Sequence, residues 1–430
     1  MNDLASNAKA NPSATAHDIR AERHAARRAA LACMVALAVV LGIGRFAFTP
    51  LLPLMLHGGA WGQPQLDIQH GGWLASFNYA GYFIGAITCA ALRVEPARMV
   101  RVGLVATALL TLAMGLTGQF WVWAMVRFIA GAVSAWTFVF ASQWGLRRLT
   151  ELGAHGWGGV IYTGPGLGIV GTGLLVSAAG GYGAPAGWLA FGAIAVVLSI
   201  MVWPVFGDTP PNNAGRSQSE GARVNPAAQA ARPTHPPHRA DAFWLIVLYG
   251  VPGFGYIITA TFLPVIARHA LPGSAWPDLF WPMFGAALMV GSLLAARLPV
   301  HWDNRSLLAA CYVLQACGIA LGIVWPTAGG FSLGSILIGL PFTAITLFAM
   351  REARRLRGDD AAGLMGYATA AYGIGQIVGP LVAAPIAEHT GSFSLALWLA
   401  TGALLLGAAG LVVVARRPRG RGRMPDCGCN

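Results

Sequence analysis

The stretch Gly42-Ile43-Gly44-Arg45-Phe46-Ala47-Phe48-Thr49-Pro50-Leu51-Leu52-Pro53 decides the fold, because its outline returns later in the chain. Gly253-Phe254-Gly255, with Pro264 after it, repeats Gly42-Ile43-Gly44 and Pro53 at a constant offset of 211 residues. That register pairs Arg45 with Tyr256. Gly164-Pro165, in a small-residue run reaching Gly168, returns in Gly375-Gln376-Ile377-Val378-Gly379-Pro380 at an offset of 215. Arg147-Arg148 and Arg354-Arg355 each close an apolar stretch and are followed by leucine. Landmarks at nearly constant spacing across half the chain indicate an internal duplication.

The duplicated units are apolar. Hydrophobic residues make up 56% of the 430 and charged residues only 10%, against about 25% charged in a soluble domain. The 56 glycines suit helices that approach closely in a bilayer. A spanning helix needs about 20 mostly apolar residues. The pattern predicts spans at 30–56, 71–92, 99–118, 120–142, 156–180, 184–206, 242–267, 276–297, 305–326, 329–350, 361–386 and 391–415. The expectation is an all-α membrane protein of twelve transmembrane helices in two pseudo-symmetric six-helix bundles. A disordered basic tail (1–29) precedes the first half (30–206), and a tail (416–430) follows the second (242–415). The Pro-, Ser- and Asn-rich segment 207–241 cannot bury a core and is expected to be a flexible linker between them. The apolar run from Ala30 to Leu56 far exceeds a signal-peptide core of about 7–15 residues, so it is expected to be retained as the first helix.

The basic residues orient the spans. Of 28, 25 fall on one side if both termini are cytoplasmic; Arg268 is outside, and Arg45 and Arg127 lie within helices. This one-sidedness predicts an inner-membrane protein with cytoplasmic termini. The net charge of +12 therefore reads as a topology signal, and no nucleic-acid partner is expected. No Walker loop, HExxH, GxSxG or dinucleotide fingerprint occurs in the sequence, so no enzyme, nucleotide-driven pump or cofactor is expected. Cys427 and Cys429 form a lone Cys-Gly-Cys with no further ligands beside it, and no metal site is expected.

Six plus six helices around a central linker resemble the major facilitator superfamily. Arg127-Phe-Ile-Ala-Gly131, in the fourth span, resembles its Arg-x-x-x-Gly motif, and Gly164-Pro165-Gly-Leu-Gly168 resembles its helix-five Gly-Pro motif. Arg93, Arg98 and Arg101 stand where the superfamily has a basic loop, with Glu95 in place of the usual aspartate. Residues 42–53 and Gly72-Trp73-Leu-Ala-Ser-Phe-Asn78-Tyr79-Ala-Gly81-Tyr82 resemble the first two helices of bacterial YbfB/YjiJ-type transporters. The resemblance implies secondary active transport by alternating access, with spans one and four lining a central cavity.

Arg45 is the leading candidate for that cavity. A charge at mid-membrane costs at least roughly 2.5–3.5 kcal/mol on insertion scales and normally faces a cavity or a partner. Arg45 sits 14 residues beyond Leu31 and Arg127 sits 16 before Gln143, which are depths of about 21 and 24 Å. All 16 acidic residues fall in loops, tails or helix ends, the nearest to a span interior being Asp278 and Glu388. No carboxylate at their depth balances the arginines, so a substrate anion is expected to do so. Asn78, Tyr256 and Gln376 complete the expected binding set. Gly42, Gly44, Gly131, Gly164, Pro165, Gly168, Gly375, Gly379 and Pro380 are expected to serve close packing and helix motion. The expected partners are the lipid bilayer, a small-molecule substrate and a coupling proton or other ion, with the chain monomeric. Drug or metabolite export, and a non-transporting membrane sensor of the same fold, stay open as alternatives.

Overall fold

A computed structural model describes residues 12–56, 66–179, 182–207, 239–299, 301–358 and 361–416. Secondary structure among these residues is helical throughout. The first half contains α1 (Pro12–Leu37), α2 (Phe48–Leu56), α3 (Ile68–Thr88), α4 (Pro96–Leu116), α5 (Phe120–Glu151), α6 (Gly158–Ile161), α7 (Gly164–Ala179) and α8 (Gly183–Val202). The second contains α9 (Arg239–Ala270), α10 (Pro277–Arg297), α11 (Asn304–Val324), α12 (Ala328–Gly339), α13 (Phe342–Arg357), α14 (Ala361–Thr390) and α15 (Ser394–Arg416). Eleven helical segments are long and apolar enough to cross a membrane, the first running from Arg20 to Leu56. The helix α3, which covers the expected span 71–92, is not among the eleven, since His70, Asn78 and its glycines dilute its apolar character.

Helix boundaries differ from the sequence reading in several places, among them the expected span 156–180, which divides at Tyr162-Thr163 between α6 and α7. Helix α1 begins at Pro12, so residues 12–29 of the expected disordered tail are helical. The expected span 30–56 is broken: a π-helical segment, Ala38–Ile43, and a turn separate α1 from α2. The expected span 120–142 continues to Glu151. The expected span 329–350 divides at Leu340-Pro341 and then runs to Arg357. The expected linker 207–241 lies outside the described residues except at its two edges, as does the tail beyond Arg416.

The break in the first span follows from its prolines. Pro50 has no N–H to donate to the Phe46 carbonyl four residues back. Thr49 N donates to that carbonyl instead, at 3.2 Å, so the Arg45 carbonyl loses its own helical donor. Upstream, Gly44 N reaches back five residues to Val39 O and Phe46 N to Leu41 O, both at 2.9 Å, which forms the π-segment. Unpaired carbonyls at membrane depth must be satisfied by other parts of the protein.

Packing repeats in both halves. Helix α3 packs on α5 and α4 on α8; their counterparts at the same offset do likewise, α10 on α12 and α13, and α11 on α15. The halves meet where α3 crosses α14, where α7 crosses α10, and where α2 meets α9. Thr49 Oγ1 donates to the Ala260 carbonyl at 2.8 Å across a separation of 211 residues. A residue and its repeat mate thus touch where α2 and α9 meet. Glycines set the closest approaches. A side-chain carbon on Gly42 would strike the Gly168 backbone, and one on Gly131 would strike the Asn78 carbonyl. We expect Gly168→Leu to lower the melting temperature of the purified protein, at a cost of at least about 1–3 kcal/mol. An unchanged melting temperature would mean that the π-segment and α7 are not in fixed contact.

A buried charge cluster ties together four helix ends of the second half. Arg305, 4% exposed, donates from Nε to Glu352 Oε1 at 2.7 Å, from Nη2 to Asp241 Oδ2 at 2.9 Å and from Nη1 to the Val414 carbonyl at 2.9 Å. Arg355 donates to both oxygens of Glu352, at 2.8 and 2.5 Å. Glu352 is 1% exposed, a buried carboxylate at a helix end that the sequence reading did not single out. At the corresponding end of the first half, Arg147 and Arg148 pair with Glu151 on an exposed face.

Candidate functional site

Arg45 lies in the turn between the π-segment and α2, and Tyr256 lies in α9 with its side chain buried. Arg45 is 5% exposed and donates from Nη2 to Gln376 Oε1 on α14 at 3.0 Å. Gln376 Nε2 in turn donates to the Tyr256 hydroxyl. Three of the five expected binding residues therefore form one chain of hydrogen bonds across the two halves. Arg45 Nε is buried with no hydrogen-bond partner. A charged donor left unpaired in a dry interior is costly, so the site carries unmet demand for an acceptor.

Aromatic rings enclose this guanidinium. Its Cζ lies 4.0 Å from the Tyr82 ring centroid, 5.1 Å from Tyr79 and 5.4 Å from Phe46. Such cation–π contacts hold the charge without neutralising it. On the opposite half, Tyr256 stacks on Tyr372 at 5.9 Å, and Tyr372 on Tyr249 at 5.0 Å. Phe342 meets Tyr256 edge-on at 5.0 Å. Tyr249 was missed by the sequence reading, although it precedes Tyr256 by two helical turns and so shares its face. Asp278 pairs with Arg268 at 2.6 Å, and Glu388 is exposed; neither is hydrogen-bonded to Arg45.

Arg127 comes to the same place with a different task. It is 2% exposed, and its donors reach the carbonyls of the broken helix: Nη1 to Gly44 O at 3.4 Å and Arg45 O at 3.3 Å, Nη2 to Arg45 O at 3.4 Å. Its Nε points to Leu74 O at 3.5 Å, and its guanidinium lies over the Phe48 ring at 4.5 Å. The contacts are long, but they supply two carbonyls of the broken segment, including that of Arg45, whose helical donor Thr49 N has moved to Phe46 O. Asn78 Nδ2 donates to the Arg127 carbonyl at 2.8 Å, while Asn78 Oδ1 is buried without a partner. Arg127 and Asn78 thus brace the turn that carries Arg45, and α3, α5 and the first span converge there. We expect Arg127→Ala to lower thermal stability while Arg45→Ala does not, because only Arg127 repairs the backbone. Equal melting temperatures for the two variants would contradict this division.

The expected small residues occupy the helix crossings around the site. Gly44 faces Thr107, Gly164 faces the Met34 carbonyl, and Gly253 and Gly375 bring α9 against α14. Gly379 packs on Ile257, Pro165 is buried, and the Pro380 carbonyl faces Gly72. Beyond Arg45 toward Leu56, three hydrogen bonds join the halves. They are Thr49 to Ala260 O, Tyr79 hydroxyl with Thr261 Oγ1 at 3.0 Å, and Ser76 Oγ to Ile377 O at 2.9 Å.

Residues 37–413 match the sequence model of a family described as "Uncharacterised MFS-type transporter YbfB". Among solved structures, the nucleoside transporter NupG, in a mutant form, superposes with a TM-score of 0.69 over 90% of this chain and 99% of that one. The two are 14% identical, a likeness of fold alone. No curated protein matches the chain.

Proposed function

Because the chain belongs to the YbfB-type family of major facilitator transporters, an integral multi-pass membrane protein, we propose that it moves a small organic anion across the inner membrane by alternating access. The observation that carries this reading is Arg45: a buried guanidinium, facing both halves, with one N–H unpaired and, among the described residues, no carboxylate bonded to it. A substrate carboxylate would complete it with charge-assisted hydrogen bonds. The shell of Tyr79, Tyr82, Tyr256 and Phe342 favours an acid with an apolar or aromatic body over a sugar, which would need many polar partners.

The proposed architecture counts α3 as a twelfth span. Its 21 residues reach about 31 Å, enough for the hydrocarbon core, and its polar residues face α5 and α14. The repeated pairing of α4 with α8 and of α11 with α15, which correspond at the 211-residue offset, supports two bundles related by the repeat. The basic residues support cytoplasmic termini. On that orientation the bonds of Thr49, Tyr79 and Ser76 close the outer half of the interface, and alternating access requires them to part. Thr49→Val with Tyr79→Phe removes two of them, about 1 kcal/mol each. The pair should raise labelling of single cysteines introduced at the outer helix ends by impermeant reagents several-fold; unchanged labelling would sink the latch.

Proteoliposome flux tests the function itself. Uptake or exchange of one or more organic acids is expected from a panel of acids, sugars and neutral drugs. Flux of neutral solutes alone would remove the anion reading. Tight ligand binding without any flux would favour a sensor.

A further inference from the structure

A second basic site lies on the outside of the first half, away from Arg45. Arg98 and Arg101 stand one turn apart near the start of α4, and the same stripe continues through Val102, Val105 and Leu109. A groove runs along this stripe, with Trp203 on its other wall, at the end of α8. The Arg101 guanidinium lies 5.6 Å from the Trp203 ring centroid, so one wall of the groove holds it in place. Among the described residues neither arginine has an ion pair or hydrogen-bonding partner; Glu95, the nearest carboxylate in sequence, bonds to neither. Val102 and Leu109 are 56% and 60% exposed, as befits side chains that face acyl chains.

The order of these groups along the groove matches a lipid. Two cations and a tryptophan lie at the level where the sidedness reading puts the cytoplasmic headgroups, and an apolar floor extends from them toward the bilayer centre. Basic pockets between helices on the cytoplasmic side suit anionic headgroups, and tryptophan concentrates at the membrane–water boundary. We propose that this groove holds an anionic phospholipid, with its phosphate between Arg98 and Arg101 and its acyl chains along Val102, Val105 and Leu109. The source is lipid rather than free phosphate because the apolar floor gives a bare anion nothing to bind.

The test uses the full chain in detergent, with cardiolipin, phosphatidylglycerol, phosphatidylcholine and inorganic phosphate as separate additions. Thermal stabilisation and lipid retention by native mass spectrometry are the readouts. Cardiolipin and phosphatidylglycerol should bind; phosphatidylcholine and phosphate should not. Arg98→Gln and Arg101→Gln should each weaken anionic-lipid binding about fivefold, and the pair about thirtyfold. Arg297→Ala, an exposed arginine of the second half, should leave it unchanged. Binding that is equal for phosphatidylcholine, reproduced by phosphate alone, or unaltered in the double variant would each overturn the proposal. The lipid selectivity of the unmodified protein keeps the test decisive even if a variant fails to fold.

Discussion

Arg45→Ala is expected to remove substrate binding and flux while leaving the protein as stable as before, or more stable. Truncating one partner of a buried, hydrogen-bonded charge pair costs about 2–5 kcal/mol, roughly thirtyfold or more in affinity for the anion. The same change relieves the chain of a charge that is costly at its depth, and among the described residues the one hydrogen bond from its side chain that is lost goes to Gln376. Arg45→Lys keeps the charge but loses the planar fork that meets a carboxylate with two parallel bonds, so partial binding is expected. The measurements are equilibrium binding, proteoliposome flux and thermal melting on the same preparations. Normal flux in Arg45→Ala would end the anion hypothesis. A collapse in its stability would instead make Arg45 a strut between the halves through Gln376.

Glu352→Ala should be the most destabilising single change in the second half. Glu352 accepts from Arg305 and Arg355 and is almost wholly buried. Removing one partner of a buried ion pair costs about 3–5 kcal/mol, because the other charge stays buried without compensation. Arg305 would keep Asp241 and the Val414 carbonyl, which places the loss toward the lower end. Replacing Arg305 and Glu352 together by leucine removes both buried charges and should recover much of the stability. Thermal melting of the three variants checks this, and a double variant no better than Glu352→Ala would contradict it. The cluster joins the ends of α9, α11, α13 and α15, so its loss is expected to loosen that bundle end before the site at Arg45.

Several features were legible in the sequence for simple reasons. A span announces itself through apolar length, so eleven of the expected twelve appear as helices long and apolar enough to cross. The exception, α3, shows the limit of that signal. Its polar and small residues are turned toward α5 and α14, and they reduce its hydropathy without shortening it. Arg45, Tyr256 and Gln376 could be named because polar side chains stand out in apolar runs, and because the 211-residue repeat pairs the first two. Tyr249 and Phe342 could not be chosen this way, because an aromatic residue in a span is unremarkable until a neighbour gives it a role.

The sequence by itself determined the helical membrane class, the internal repeat and the two arginines within spans, since each is a property of local composition or spacing. Only the tertiary structure separated Arg45 from Arg127. Both are single arginines in apolar runs at similar depth, and although Arg45 led on its mid-span position, nothing local says what each guanidinium meets. The difference lies in what surrounds each guanidinium: Arg127 meets carbonyls of the broken segment, while Arg45 meets aromatic faces, Gln376 and, among the described residues, no carboxylate. These partner groups reach the two arginines from residues 37 to 331 positions away along the chain. Arg127 therefore supports the broken helix, and Arg45 retains the unpaired donor that a substrate can fill.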